Sequence, residues 1–145
     1  MARQEEKAQP EVLTGEETIL FVDDEDINRE VGEALLNAMG YKTIVARDGK
    51  EAIELYKEKG GIIDLVVLDM IMPGMSGGET YDKLREINPE IRVILSSGYS
   101  LDGEASKIMG RGCEGFIQKP FDMTAFSKKI REILDRDVTR ALASA

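Results

Sequence analysis

Apolar residues in this chain fall into short runs that end at polar or turn residues, and between the runs they recur at helical spacing. Thr18 leads into Ile19-Leu20-Phe21-Val22 and then Asp23-Asp24, an unbroken apolar run of the kind found in strands buried on both faces. Ile27, Val31, Ala34, Leu35 and Ala38 follow at helical intervals, with acidic residues ahead of them and Gly40 where a left-handed cap is needed. The couplet repeats: a strand over Thr43 to Ala46, then a helix from about Gly49 through Ala52, Ile53 and Leu55-Tyr56, stopped by Gly60-Gly61. Ile62 to Leu68, with Asp64 as its one polar residue, predicts the strongest strand and ends at Asp69. Pro73, Gly74, Gly77 and Gly78 make a loop, and a helix through Leu84 and Ile87 breaks at Asn88-Pro89. Ile91 to Leu95 predicts a fourth strand ending in Ser96-Ser97-Gly98, followed by a weak, glycine-interrupted helix over about Asp102 to Met109. Phe116-Ile117 form the heart of a short fifth strand before Lys119-Pro120. The last helix runs from about Asp122 through Phe126, Ile130, Ile133 and Leu134.

Five strand-helix couplets with near-continuous apolar strands require a parallel sheet covered on both faces, because right-handed crossovers place helices there. The fold class is therefore doubly wound α/β, and ligands of such sheets bind beyond the carboxyl ends of the strands. The opening MARQEEKAQPEVLTG carries charge, Pro10 and Gly15 but no periodicity, so residues 1–16 read as a linker or loose arm. The domain is expected over 17–136, with a tail over 137–145.

Composition narrows the chemistry. The chain of 145 residues is one domain's worth, and no apolar stretch approaches the roughly 20 residues of a membrane helix. Its net charge of −9 disfavours direct binding to nucleic acid, and direct membrane contact is not expected either. Histidine is absent, which excludes a histidine base, a phosphohistidine within this chain and a histidine-ligated zinc site. The single cysteine, Cys113, forms no internal disulfide, and the first residues lack the pattern of a secretory signal, so a cytoplasmic location is expected.

The residues leaving the long strands are all polar: Asp23 and Asp24 after the first, Asp69 after the third, Ser97 after the fourth, Lys119 after the fifth. On one sheet edge they would place three carboxylates, a hydroxyl and an ammonium in a single crevice. Carboxylates so close repel unless a cation neutralises them, and oxygen-only ligands suit Mg²⁺. A carboxylate can also be a nucleophile, with Asp69 the candidate; metal, Lys119 and Ser97 would each take a phosphoryl oxygen. Taken singly, Asp23-Asp24 could serve the N-terminus of the following helix, Asp69 a turn, and Lys119 the solvent. Strand alternation turns only one of Ser96 and Ser97 to the crevice. Met70, Met72 and Met75 read as apolar loop packing rather than metal ligands, Cys113 as inert, and the Lys128-Lys129 and Arg131 run as a solvated face.

Together, VDDE after the first strand, LDMIMPGMSG after the third, ILSSG after the fourth and KPF after the fifth resemble a response regulator receiver domain, over roughly residues 17 to 136. The order of phosphoacceptor, switch hydroxyl and lysine matches, and its spacing selects Ser97. The resemblance implies a flavodoxin-like five-stranded sheet of order 2-1-3-4-5. It implies that Asp69 takes phosphate from a histidine kinase or histidine phosphotransfer domain. Asp24, Asp69 and the Ile71 carbonyl would hold Mg²⁺, with Asp23 assisting through water and Lys119 on the phosphoryl group. Ser97, followed by Gly98, and Phe116 would switch, and the Lys119-Pro120 bond is expected to be cis. Serine stands at Ser97 where threonine is commoner, and Phe116 lacks the hydroxyl of the tyrosine often found there, so the switch would be steric. Two positions that tune phosphoryl loss in this family are here the bulky Ile71 and Tyr99, which implies a long-lived phosphoryl group. Overall the chain looks most like receivers at the ends of hybrid sensor histidine kinases, with a free-standing regulator as the alternative and a homodimer left open. A Mg²⁺-dependent phosphatase with an aspartyl nucleophile, using Asp24 and Asp26, is the rival from another class, and a receiver-like adaptor that is never phosphorylated is the third reading.

Overall fold

The computed structural model describes residues 12–98, 103–120 and 122–136. Tyr99 and Phe121 lie outside the described residues, as do most of the expected N-terminal arm and the expected tail over 137–145. Strands β1 (Thr18–Val22), β2 (Lys42–Ala46), β3 (Leu65–Asp69), β4 (Val93–Ser97) and β5 (Gly115–Gln118) alternate with helices α1 (Asp26–Ala38), α2 (Gly49–Lys59), α3 (Gly77–Ile87), α4 (Gly103–Gly110) and α5 (Met123–Leu134). The strands form one sheet in the order β2-β1-β3-β4-β5, every pair parallel. This is the doubly wound architecture that the pattern requires, with the flavodoxin-like strand order that the resemblance implies.

Strand alternation divides the core. Leu20, Val22, Val66, Leu68, Val93 and Leu95 belong to one apolar cluster with Ala52 and Tyr56 of α2, Tyr81 and Leu84 of α3, and Ile108 of α4. Ile19, Phe21, Leu65, Val67 and Ile94 belong to the other, with Leu36 of α1 and Phe126, Ile130 and Ile133 of α5. Burying each such side chain is worth about 1.5–3 kcal/mol, which makes the sheet a rigid base for whatever its edge carries.

Three expectations shift. Residues 62–64 are not strand: Ile62 and Ile63 continue the turn after α2, donating to Lys59 and Gly60 carbonyls, and Asp64 accepts the Thr18 amide at 2.9 Å. The strand starts at Leu65 and takes in Asp69, so the polar Asp64 marks its entrance rather than interrupting it. Likewise β4 begins at Val93 and includes both serines. In α1 the buried seam consists of Gly32 and Leu36, while Ile27 and Val31 are 61% and 51% exposed and Ala34 and Ala38 face solvent. Gly32 explains this: a Cβ there would stand 2.4 Å from the Phe21 ring, so the helix seats its smallest residue on the largest side chain of β1.

The arm is also fastened before Glu16. The Leu13 amide donates to Ser127 Oγ of α5 and the Gly15 amide to the Met39 carbonyl, each at 3.1 Å, while Arg131 makes two bonds to Glu17 at 2.8 and 3.0 Å. Arg131 therefore is not part of a solvated face, although Lys128 is exposed. Among the described residues no helix is long and apolar enough to cross a membrane.

Candidate functional site

At the carboxyl edge of the sheet, β1 ends into Asp23-Asp24 and β3 in Asp69. Asp23 is fully buried and Asp69 5% exposed, whereas Asp24 is less buried than either. Each of the three offers a carboxylate oxygen within 4.8 Å of the others. Lys119, one residue past β5, donates from Nζ to Asp23 Oδ2 at 2.8 Å and to Asp69 Oδ1 at 3.1 Å. Its amide donates to the Ser97 carbonyl at 2.6 Å, and the bond to Pro120 is cis, as expected. The Asp69–Lys119 pair thus spans the sheet, with Ser96 in register beside Asp69 and Ser97 beside Gln118.

The electrostatics follow from burial and charge count. Desolvation pushes the Asp69 carboxyl up to about 6; the Asp23 charge and a contact with Asp24 add to the shift, and the Lys119 charge opposes it. Burial works against the Lys119 ammonium, but the hydrogen bond to Asp23 and the charges of Asp69 and Asp23 outweigh it and hold the lysine above its ordinary value. Three carboxylates against one ammonium leave an excess of negative charge on oxygen donors alone, a set that fits a hard divalent cation.

A cleft of about 510 Å³ opens over the cluster, lined by Asp24, Glu25, Asn28, Asp69, Ile71, Gly98 and Lys119. Ile71 is 59% exposed at its wall. Ser97 is buried at the end of β4, and its carbonyl is the atom that ties it to Lys119. Phe116 lies half-buried against the cluster that contains Leu95, its register partner. The β3–α3 loop is closed by the Gly77 amide on the Met70 carbonyl at 2.9 Å and by a capping box in which Ser76 and Glu79 bond each other's backbone amides. Met72 is buried and Met70 and Met75 pack on the same core, which agrees with their reading as apolar packing. Cys113 is buried with its thiol on the Val93 carbonyl, and burial pushes the thiol up to about 11.

Residues the pattern did not single out complete the site. The Glu25 amide donates to Asp23 Oδ1 at 3.0 Å, Asn28 Nδ2 stands 3.3 Å from both Asp23 carboxylate oxygens, and Arg29 Nη1 donates to the Asp23 carbonyl at 2.7 Å while also pairing with Asp26. The available signal was chemical: a buried carboxylate at a helix N-terminus needs donors, and the first turn of α1 supplies an amide and a guanidinium.

The response regulator receiver domain profile matches residues 19–131. Sensor kinase CckA of Brucella abortus is 37% identical over 124 residues, covering 86% of this chain but only 13% of that kinase, so the chain spans a small part of that relative's length. Polar-differentiation response regulator DivK of Brucella anthropi is 32% identical over 120 residues, 81% of this chain and 95% of that protein. The solved structure of response regulator protein TrrA from Thermotoga maritima in complex with Mg²⁺ and BeF superposes with a TM-score of 0.72 at 31% identity, covering 81% of this chain and 98% of the other. With its sheet order, its acidic edge and a profile match over most of its length, this chain belongs to the response regulator receiver domain family and is a receiver domain of two-component signalling.

Proposed function

We propose that Asp69 accepts a phosphoryl group from a phosphohistidine on a partner histidine kinase or histidine phosphotransfer domain, and that the resulting change of surface is the output. The observation that carries this reading is the bridging ammonium: Lys119 bonds both Asp23 and Asp69 within a cluster of three carboxylates that opens onto the cleft. An Asp69 carboxylate oxygen forms the new bond to phosphorus as the phosphorus–nitrogen bond to the donor imidazole breaks. The electron pair leaves on that nitrogen, which takes its proton from water, and an acyl phosphate results. With its carboxyl at about 6, Asp69 is largely ionised at neutral pH, so no general base is needed. Lys119 and the Ser97 hydroxyl would each receive a phosphoryl oxygen.

Asp23, Asp24, Asp69 and the Ile71 carbonyl would hold Mg²⁺, Asp23 through water. Bound there, Mg²⁺ supplies positive charge against which the phosphoryl oxygens can approach an acidic pocket. The presence of Mg²⁺ and BeF in the TrrA complex supports this choice. Ser97 would draw toward the phosphoryl group and Phe116 would turn inward behind it, a steric switch. The exposed Ile27 and Val31 on α1, next to the cleft, give an apolar seat for the donor protein.

The receiver body is taken to span 17–136 and to lie in the cytoplasm, and its parent to be a hybrid sensor histidine kinase; the likeness to CckA supports the parent, and the near full-length match to DivK keeps the free-standing regulator as the alternative. Sizing the native protein with an antibody to this chain separates the two. The chemistry is tested by adding beryllofluoride and Mg²⁺ to the ¹⁵N-labelled chain. Amides near Asp69, Ser97 and Phe116 should shift, and Asp69→Asn should abolish the response. An unresponsive wild-type spectrum, or multiple turnover of phosphomonoesters in place of one stable adduct, would overturn the reading.

A further inference from the structure

Asp23 is fully buried, and the proposed reaction gives it a supporting place rather than the bond-forming one. Its carboxylate nevertheless has the fullest set of partners at the site. Oδ1 accepts from the Glu25 amide at 3.0 Å, Oδ2 from Lys119 Nζ at 2.8 Å, and both oxygens face Asn28 Nδ2 at 3.3 Å. Two of these donors are fixed by other demands, since Glu25 contributes main chain and Lys119 must also serve Asp69 at 3.1 Å. Among the described residues, Asn28 is the remaining side-chain donor. It stands in the first turn of α1, where the positive end of the helix dipole also favours the carboxylate.

The geometry points to Asn28 as a positioning residue for the phosphoacceptor site: by holding the Asp23 carboxylate from the α1 side, its amide leaves the Lys119 ammonium free to be shared with Asp69. A buried carboxylate that loses a hydrogen-bond donor draws harder on the donors that remain. Without the Asn28 amide, the Lys119 ammonium is pulled toward Asp23, and Asp69 loses part of the charge that opposes its desolvation. The amide is also neutral, so it orients Asp23 without adding to or cancelling the negative charge that a cation requires. Aspartate here would bring a fourth carboxylate against Asp23, and lysine would neutralise the cluster permanently. Arg29, one residue on, reaches Asp23 at its main-chain carbonyl and otherwise pairs with Asp26, so it does not replace the contact.

The part of this inference that concerns Mg²⁺ rests on the reading of the acidic cluster given above, and the experiment separates the two. Asn28 is only partly buried on a helix face, so Asn28→Ala, and Asn28→Leu with similar volume but no donor, should fold; thermal midpoints verify this. In the metal-free ¹⁵N-labelled chain, both variants should move the Lys119 Nζ resonance and the Asp69 amide relative to wild type. In calorimetric titration with Mg²⁺ alone, both should weaken binding about tenfold at an unchanged thermal midpoint, the size of effect seen when residues behind metal ligands are removed. An unmoved Lys119 resonance with wild-type Mg²⁺ affinity overturns the inference, as does an affinity loss that merely follows a fall in the midpoint. Should wild type bind no Mg²⁺, the metal reading fails by itself, and the metal-free resonances then decide for or against Asn28.

Discussion

Lys119 Nζ stands 3.1 Å from Asp69 Oδ1, joining the ends of β5 and β3 across the strand that lies between them. The same ammonium is 2.8 Å from Asp23, so one cation holds together the edge on which the proposed chemistry depends. Removing it with Lys119→Met leaves buried carboxylates without their counter-charge. The variant should lose stability at neutral pH in chelator and recover part of it when Mg²⁺ is added, while acetyl phosphate labelling of Asp69 falls at least about tenfold, as expected when a charge stabilising the transferred group is removed. Urea midpoints with and without Mg²⁺, beside labelling rates, check this.

The pH dependence of the metal-free fold has a definite sign at Asp69. Its carboxyl is raised in the folded chain to about 6 from 3.8. The folded state therefore holds the proton more tightly than the unfolded chain, and this contribution to stability is complete below 3.8 and lost as pH rises through about 6. Glu17 acts oppositely: its hydrogen bond to Arg131 lowers the carboxyl, so its contribution is present above 4.5 and lost as pH falls. Subtracting the Asp69→Asn stability profile from that of wild type isolates the first effect, and the difference should slope downward between pH 4 and 6 in chelator.

The clasp at the opposite edge of the sheet should affect stability without touching the acidic cleft. Glu17, Tyr41 and Asp135 converge on Arg131, and a Cβ on Gly15 would stand 2.4 Å from both Arg131 Nη1 and the Tyr41 ring. Arg131→Ala should cost about 1–3 kcal/mol, the value of part-buried, charge-assisted bonds, and Gly15→Val should destabilise as well. Both should leave acetyl phosphate labelling unchanged. Chemical denaturation and labelling on the same preparations give the answer.

Much of this architecture was legible in the chain because buried parallel strands are apolar runs, and four of the five, β1, β3, β4 and β5, end at or next to a polar residue of the candidate site. The site residues Asp23, Asp24, Asp69 and Lys119 fell out of that rule and do meet in space. Strand limits were legible less well: Ile62 and Ile63 are as apolar as a strand, yet their amides are spent on the turn after α2. The seam of α1 was misplaced because periodicity assigns large side chains to the core, and here Gly32 occupies the contact while Val31 faces out. Asn28 escaped notice because its partner is a carboxylate next to it in space, a relation with no apolar signature. Arg131 read as solvated because Glu17, its partner, lies 114 residues away.

If the exposed Val31 belongs to the donor's seat, Val31→Asp should reduce phosphotransfer from a phosphorylated histidine partner at least about tenfold, as truncation of a central apolar contact does at protein interfaces. It should leave labelling by acetyl phosphate at the wild-type rate, because the small donor needs no docking surface. Paired rate measurements with the two donors distinguish loss of docking from loss of chemistry.

The exposed Ile71 lines the cleft, and its side chain presents no polar group to an attacking water. Ile71→Asn should shorten the life of the phosphoryl group several-fold, read as loss of radiolabel after the donor is removed. A wild-type half-life of only seconds in Mg²⁺ would contradict the protected site.

The central claim is tested most directly by intact-mass measurement of the chain after incubation with acetyl phosphate and Mg²⁺. Wild type should gain the mass of a single phosphoryl group, lose it in hydroxylamine, and fail to gain it in chelator, with Asp69→Asn unlabelled throughout. Labelling that survives Asp69→Asn or proceeds equally without a divalent cation would contradict the account.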